Sequence, residues 1–424
     1  RPEVDLLQAY KGALSYQRQH QRSSLNRPDR NAADDIDTRT TNLGRDAVDG
    51  ISTFFKGSTR PFEPGETTEL NLRYGVDGSH EWVESRKWIE FAQPAITQPF
   101  SRGQYIDGAR YSQSGAFITP SLTTGAIRFR TGVRAGLVAA ESPGDQASGS
   151  RQFNHTYHPV VFNGGFRWGK RIALVVDIEQ GYRAPNLDDL TARQSTGQGY
   201  QLENSALQPE RALTSEVGLR LDYPKVSGSA FVFRQTLRDT IERQVLSRDD
   251  CTLEGGFVDQ ACRANRIPLR LTNLPGTAVI HGAEGRITLR PLGQLRLRSV
   301  VSYAYGEGDI PIGNEINRRP LSRIPPLNGH AEIRYAYRPW RLWSSMTCRW
   351  AAKQTRLSPG DVADARIPAE GTPGYTVFDL RAGIKVRPWL STQISFENIT
   401  DFRYRVHGSG IYGPGRGLAV ELVG

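Results

Sequence analysis

The run GAIRFRTGVRAGLV, Gly125–Val138, decides the fold class. Ile127, Phe129, Thr131, Val133, Ala135 and Leu137 take alternate positions, and Arg128, Arg130, Gly132, Arg134 and Gly136 fill the places between them. Successive side chains of an extended strand point to opposite faces, so this spacing builds one apolar face and one cationic face. On a helix the same residues would mix around the circumference. TVFDLRAGIKV (Thr376–Val386) repeats the arrangement, with Phe378, Leu380, Ala382 and Ile384 against Asp379, Arg381, Gly383 and Lys385. LRLRSVVSYAY (Leu295–Tyr305) does so again, with Arg296 and Arg298 opposing Leu295, Leu297, Val301, Tyr303 and Tyr305.

Alternation alone fits a soluble sandwich or a membrane barrel. Three features select the barrel. The alternating runs span roughly 10–14 residues, the length of a tilted membrane strand, whereas strands of globular proteins centre on ~5–6. Short turns at RWGKR (Arg167–Arg171), DYPKVSG (Asp222–Gly228), RPLGQ (Arg290–Gln294), YRPWR (Tyr337–Arg341) and VRPWL (Val386–Leu390) interleave with long polar segments. Those segments are Arg183–Arg211, Val245–Pro268, Gly306–Pro325, Leu357–Pro373 and Asp401–Gly415. Short turns on one rim and long loops on the other characterise outer-membrane barrels. Trp168, Tyr182, Tyr305, Trp340, Trp343, Trp389 and Tyr404 fall near strand ends, as interfacial girdles require. The expected fold is an all-β antiparallel transmembrane barrel with roughly 16 strands. Arg1–Pro99, with longer and more polar connections, is the hardest part to assign.

The net charge of +10 comes from arginines scattered along the whole chain. A nucleic-acid-binding face would concentrate them, so no nucleic acid is expected as a partner. The first residues, RPEVDLLQAYKG, hold no apolar signal core, which implies either a removed signal or a chain that starts partway into something larger. Cys251 and Cys262 bracket the polar segment TLEGGFVDQA and are expected to form a disulfide in an oxidising compartment, two free thiols being the alternative.

GYRAPNLDDL (Gly181–Leu190), followed by NSALQPERALTSEVGLR (Asn204–Arg220), resembles the signature of TonB-dependent outer-membrane receptors. The resemblance continues through FVFRQTLRDTI, through Asn273, Ala278, Gly282 and Glu284, and through RRPLSRIPPLNGHAEIRY (Arg318–Tyr335). It ends at FENITDFRYRVHGSGIYGPGRG (Phe396–Gly417), similar to the family's last strand pair. Residues 1–424 are therefore read as part of a receptor barrel of 22 strands, lacking the N-terminal plug, the TonB box and the first strands. The resemblance implies residence in the bacterial outer membrane, contact with its lipid and lipopolysaccharide, and coupling to the TonB system. It also implies a plug or companion chain that completes the barrel.

The implied function is active uptake of a scarce nutrient, a ferric siderophore being the commonest cargo in the family. Alternatives are a receptor-derived scaffold in an envelope assembly and a passive porin. Arg128, Arg130, Arg296, Arg298, Asp379 and Arg381 are expected to face the lumen. His407, Tyr412 and Arg416 are candidate contacts on the last extracellular loop.

Other patterns resolve into barrel parts. Gly408–Gly413 matches G-x-G-x-x-G, but the remaining PGRGLAVELVG is too short for the strand–helix–strand unit of a dinucleotide site. Gly164–Lys170 nearly matches a phosphate loop, yet Arg171 replaces the Ser or Thr that would hold magnesium. His155 and His158, three apart on a strand, would face opposite ways and share no metal. Asp34, Asp35 and Asp37, like Asp188–Asp189 and Asp249–Asp250, read as solvated loop charge, calcium binding being the alternative. No G-x-S-x-G or Cys/His pairing suggests an enzyme, and no cofactor or metal is expected.

Overall fold

The computed structural model describes residues 8–30, 36–92, 95–196, 199–253, 256–264, 267–312 and 315–423. Asp34, Asp35 and the Asp37 side chain lie outside the described residues. Twenty strands share one sheet, of which four short ones extend larger neighbours. The other sixteen are β1 (Ala9–Arg30), β2 (Ile36–Ser58), β3 (Thr68–Phe91), β4 (Arg110–Thr124), β5 (Ile127–Ser142), β6 (Val160–Trp168), β7 (Ile172–Arg183) and β8 (Glu210–Asp222). They continue with β9 (Val226–Arg238), β10 (Thr277–Leu292), β11 (Leu295–Ile312), β12 (Asn328–Tyr337), β13 (Leu342–Ala351), β14 (Tyr375–Arg387), β15 (Leu390–Glu397) and β16 (Gly417–Val423). Each pairs antiparallel with the next. Among the described residues no ladder joins β1 to β16.

The meander reproduces the number of strands read from the alternation, and the five short turns all join consecutive strands. Two parts of that reading change. The early strands β1, β2 and β3 run 22, 23 and 24 residues, well beyond the expected length. Once a hairpin register is set, each further residue pair adds ladder bonds, so strands continue past the point where the apolar alternation fades. The segment Gly306–Pro325 is not all loop. β11 carries on through Ile312 and folds back on Glu315–Pro320, pairing Glu307 with Pro320 and Asp309 with Arg318.

Register places like side chains together. Ile333, Met346, Leu380, Phe396 and Leu418 lie opposite one another across five strands and form one apolar face. Ile333, Met346, Leu380 and Leu418 are exposed. The other face carries Glu332, Arg349, Asp379 and Arg381. The wall is one residue thick, so a Cβ matters where rings cross it. At Gly218 a Cβ would lie 2.3 Å from the Phe231 ring, and at Gly282 it would lie 2.1 Å from the Tyr303 carbonyl oxygen. Both glycines let a neighbouring aromatic ring lie flat on the polar face.

The girdle needs two corrections. Trp168, Trp340 and Trp389 stand exposed at the short turns, as expected. Trp343 instead lies on the polar face under the Arg334 guanidinium, 3.9 Å from its ring centroid. Tyr404 is buried in the last long loop, 4.8 Å from the Tyr375 ring. Both residues are close to strand ends in sequence, but pairing register decides which way a ring points.

The hydrophobic core sits at the long-loop end. Val83, Ile106, Ala109 and Leu187 form one cluster; Ala140, Leu190, Leu207 and Leu271 form the next. A second, four-stranded sheet roofs them, built from Gln194–Ser195, Tyr200–Leu202, Pro268–Asn273 and Ile241–Val245. Among the described residues three short α-helices punctuate the loops, at Leu187–Thr191, Gln260–Ala264 and Pro359–Ala363. Two begin on reciprocal capping boxes, Asn186 with Asp189 and Ser358 with Asp361. No helix among the described residues is long and apolar enough to cross a membrane.

Candidate functional site

The proline of GYRAPN stops the ladder because it has no N–H to donate, and β7 ends at Arg183. Asn186 then caps the helix Leu187–Thr191: its side chain accepts from the Asp189 N–H at 2.9 Å, and Asp189 accepts from the Asn186 N–H at 3.1 Å. The Arg183 guanidinium holds the turn from beneath, donating to Asp189 at 2.5 Å and to Glu210 at 2.6 Å. This turn lays Leu187 and Asp188 over the end of the polar face. Below them is a cavity of about 420 Å³, lined by Glu81, Tyr105, Tyr111, Arg183, Asn186 and Asp188 together with Val48 and Val83.

The polar groups in this cleft are tuned by burial. The Tyr105 hydroxyl donates to Asp188 at 3.2 Å. Burial, reinforced by that carboxylate, pushes the phenol up to about 12. Burial also raises Asp188 above the usual carboxylate range, against the lowering hydrogen bond from Tyr105. The cleft thus offers two aromatic rings, one guanidinium and two carboxylates in a pocket open to the loop side. That set can stack against and hydrogen-bond a compact, partly aromatic, polar ligand. Sequence reading missed Tyr105 and Tyr111 and took Asp188 and Asp189 for solvated loop charge, whereas Asp188 accepts from Tyr105 and Asp189 is buried in the helix cap; the box Asn186-x-x-Asp189 was the local signal that a helix closes this end.

A quartet of charges locks the roof. Arg102 and Arg193, on different loops, both bind Glu203, Arg193 at 3.1 Å. Arg193 also reaches Asp259 at 3.2 Å, and all four side chains are almost fully buried. Beside them Cys251 and Cys262 form a disulfide, buried against Leu202 and Leu253. The disulfide and the quartet tie the chain around Asp259 to the roof, since Cys262 N–H donates to Asp259 at 2.8 Å.

A second loop cluster holds HGSGIYGPGRG. Arg323 donates to the Gly408 carbonyl at 2.6 Å and to Asp364, and Arg366 donates to Asp364 at 2.8 and 2.9 Å. Arg405 donates to the Arg366 carbonyl at 2.7 Å. No helix follows the glycines; the chain passes directly into β16. The three loop candidates part company here. His407 is buried, its side chain 3% exposed, with Nδ1 2.8 Å from the Thr372 hydroxyl. It therefore stiffens the loop and does not reach outward. Tyr412 is exposed, under the guanidinium groups of Arg403 and Arg405 at 4.0 and 4.3 Å. Arg416 is exposed and pairs with Asp401 at 3.7 Å.

His407 gives this cluster a pH dependence. Its Nε2 has no hydrogen-bond partner and lies 4.0 Å from Asp361. Burial holds the imidazole below its ordinary 6.5; Asp361 and Asp364 oppose the shift and Arg323 adds to it. The opened loop therefore takes up a proton that the closed loop resists. Stability is complete above pH 6.5 and falls as pH drops below it toward the depressed folded value. Amide protection factors across residues 401–415, corrected for intrinsic exchange at each pH, are expected to fall between pH 7.5 and pH 5.5, and His407→Gln is expected to remove that difference. An identical pH response in the variant would assign it to another group.

The six polar-face candidates all lie on the face opposite the apolar stripe. Four are ion-paired: Arg130 with Asp177 at 3.5 Å, Arg296 with Glu332 at 3.1 Å, Asp379 with Arg349 at 2.9 Å, and Arg381 with Glu397 at 3.4 Å. Arg128 donates to Thr123 at 3.1 Å and has no acidic partner among the described residues; neither does Arg298. Arg128 and Arg130 line a cavity of about 450 Å³ at the short-turn end, with Arg73, Arg167 and Arg220. The cleft under the roof and this cavity lie at opposite ends of the same face.

Comparison with known proteins gives one family and a consistent set of folds. The family described as TonB dependent receptor-like, beta-barrel, matches residues 3–399. No curated protein matches in sequence. Among solved structures, a copper transporter, OprC, has a TM-score of 0.76 at 17% identity, over 99% of this chain and 62% of that one. A double mutant of the Serratia marcescens hemophore receptor HasR, in complex with its hemophore HasA and heme, gives 0.65 at 13% identity over 97% and 66%. The ferric yersiniabactin uptake receptor FyuA from Yersinia pestis gives 0.59 at 13% identity over 99% and 58%. The chain spans less than two thirds of the length of each of these structures.

Proposed function

The chain belongs to the TonB-dependent receptor family through its β-barrel domain, and from that premise we propose that it forms the wall of an outer-membrane uptake receptor. The polar face lines the lumen and the apolar face meets lipid. Family membership carries this reading. The register supports it, because an uncovered stripe such as Ile333, Met346, Leu380 and Leu418 suits hydrocarbon and not water. The carboxylate-paired arginines opposite suit a hydrated, crowded lumen. Arg128 and Arg298, which lack acidic partners among the described residues, are the groups we assign to a plug inside the barrel. Lipopolysaccharide surrounds the long-loop rim.

The cargo is a compact metal complex, a ferric siderophore, bound first in the cleft beneath Leu187 and Asp188. Tyr105 and Tyr111 supply ring surface, and Glu81 and Asp188 supply hydrogen-bonding carboxyl groups. Import is driven from the inner membrane through TonB. The test is uptake by cells expressing the full gene, with labelled ferric siderophores, haem, cobalamin and copper offered in parallel. One cargo is expected to enter, and entry is expected to stop when the proton gradient is collapsed. Tyr105→Ala is expected to raise half-saturation on the order of tenfold, the loss of a stacking contact worth ~1 kcal/mol or more. Uptake that ignores the gradient would instead mark a passive pore. Absence of uptake, with stable co-purification of non-transport proteins, would mark a scaffold.

A further inference from the structure

The long-loop end of the apolar face carries an unneutralised pair of cations. Arg211 on β8 stands directly opposite Arg238 on β9 in the ladder. Both are exposed, and neither has an ion pair or side-chain hydrogen bond among the described residues. Like charges directly opposite on an antiparallel pair repel, so a protein gains nothing from this pairing unless an anion sits between them. On the other face Arg130, Arg134 and Arg349 each have a carboxylate, whereas Arg128 and Arg298 have none among the described residues.

The pair lines a cavity of about 580 Å³ whose other walls include His158, Tyr182, Val160 and Leu213. Arg211 and Arg238 stand at the long-loop ends of β8 and β9, Leu213 stands one step further into the wall, and Val160 opens β6 beside them. Below them Phe162, Ile178, Val217 and Val232 continue the exposed apolar stripe. Arg234, opposite Ser215 on one side and His281 on the other, is a third exposed cation of this face, four residues further into the wall than Arg238. A cationic edge above an apolar channel, on a surface that meets lipid, complements an anionic amphiphile.

We propose that this cavity binds the phosphorylated headgroup of an outer-leaflet glycolipid, with a phosphate between Arg211 and Arg238 and an acyl chain along Val160 and Leu213. The inference rests on the lipid-facing assignment of the apolar face made above. Uptake is scored independently of it, so a failure here leaves the transport reading standing.

The test is a titration of the detergent-solubilised full protein with diphosphoryl lipid A, with the same lipid after removal of its phosphates, and with inorganic phosphate, read by native mass spectrometry. The phosphorylated lipid is expected to bind at least tenfold more tightly than the dephosphorylated one, and inorganic phosphate far more weakly. Arg211→Gln with Arg238→Gln is expected to lose at least tenfold, and Arg211→Lys with Arg238→Lys to stay within about threefold because the charge remains. Arg286→Gln, on the other face, is the control. If the double glutamine variant fails to fold, Thr236→Glu, which sets a carboxylate in the same cavity, is expected to give the same loss. Equal affinity for both lipids, equal binding by inorganic phosphate, or unchanged binding by the folded variants would each overturn the proposal.

Discussion

Replacing Arg102 with alanine is expected to open the roof over the candidate cleft. The guanidinium is buried and satisfies Glu203, the Ser150 hydroxyl at 2.8 Å, the Gln104 carbonyl at 2.9 Å and the Thr191 carbonyl. With Arg193, Glu203 and Asp259 it makes a neutral quartet. Deleting one cation leaves a buried net negative charge, at a cost of about 3–5 kcal/mol. Local units of loop structure are held by less than the whole molecule, so a loss of this size falls on the roof before it reaches the wall. Protease added to the protein is expected to cut Arg102→Ala between Pro185 and Asn273 while the strands stay intact. Arg102→Met combined with Glu203→Gln removes both charges and is expected to recover part of the protection. Equal resistance of Arg102→Ala and the native protein would show that the quartet does not hold the roof.

Asn398→Ala is the second large loss, and it falls on the last hairpin. Asn398 is buried with φ +46°, where an unbranched polar side chain is tolerated better than alanine. Its Oδ1 accepts from the Phe402 N–H, and its Nδ2 donates to the carbonyls of Phe402 and Pro414, each at 2.9 Å. Its own N–H donates to Asp379 at 2.9 Å, joining loop to wall. Alanine abandons three part-buried backbone groups, and at ~1 kcal/mol for each the loss is about 3 kcal/mol. Asn398→Asp keeps the acceptor and loses the donors, so it is expected to fall between. Thermal unfolding in detergent should rank native, then Asp, then Ala; no difference between native and Ala would remove Asn398 as the clasp of this loop.

What could be read from sequence follows from the range of the forces involved. The alternation of Ile127 to Leu137 and of Phe378 to Ile384 is a local property of extended chain, and it gave both faces correctly. Turns such as Arg290–Gln294 carry their own Pro and Gly and were equally plain. The pairing of Cys251 with Cys262 needed only their closeness in sequence. The roof is different. Arg102 meets Glu203 a hundred residues away, and Tyr105 meets Asp188, contacts that no window of sequence contains. His407 looked like an exposed loop histidine until Thr372 and Asp361 closed over it. Trp343 and Tyr404 failed for a related reason, because ring direction is set by register and loop closure and not by distance from a strand end.

The three opening strands have a consequence for what meets the molecule first. At ~3.3 Å per residue and a tilt near 45°, a strand as long as β1 rises about 50 Å, roughly twice the ~25 Å lipid-facing band of such walls. β12 and β13, with 10 residues each, rise only about 23 Å by the same geometry. One side of the wall therefore stands as a parapet and the other as a low sill. A bulky visitor, such as an antibody or another protein, strikes the parapet before it touches the roof, whereas a small solute slips in over the sill.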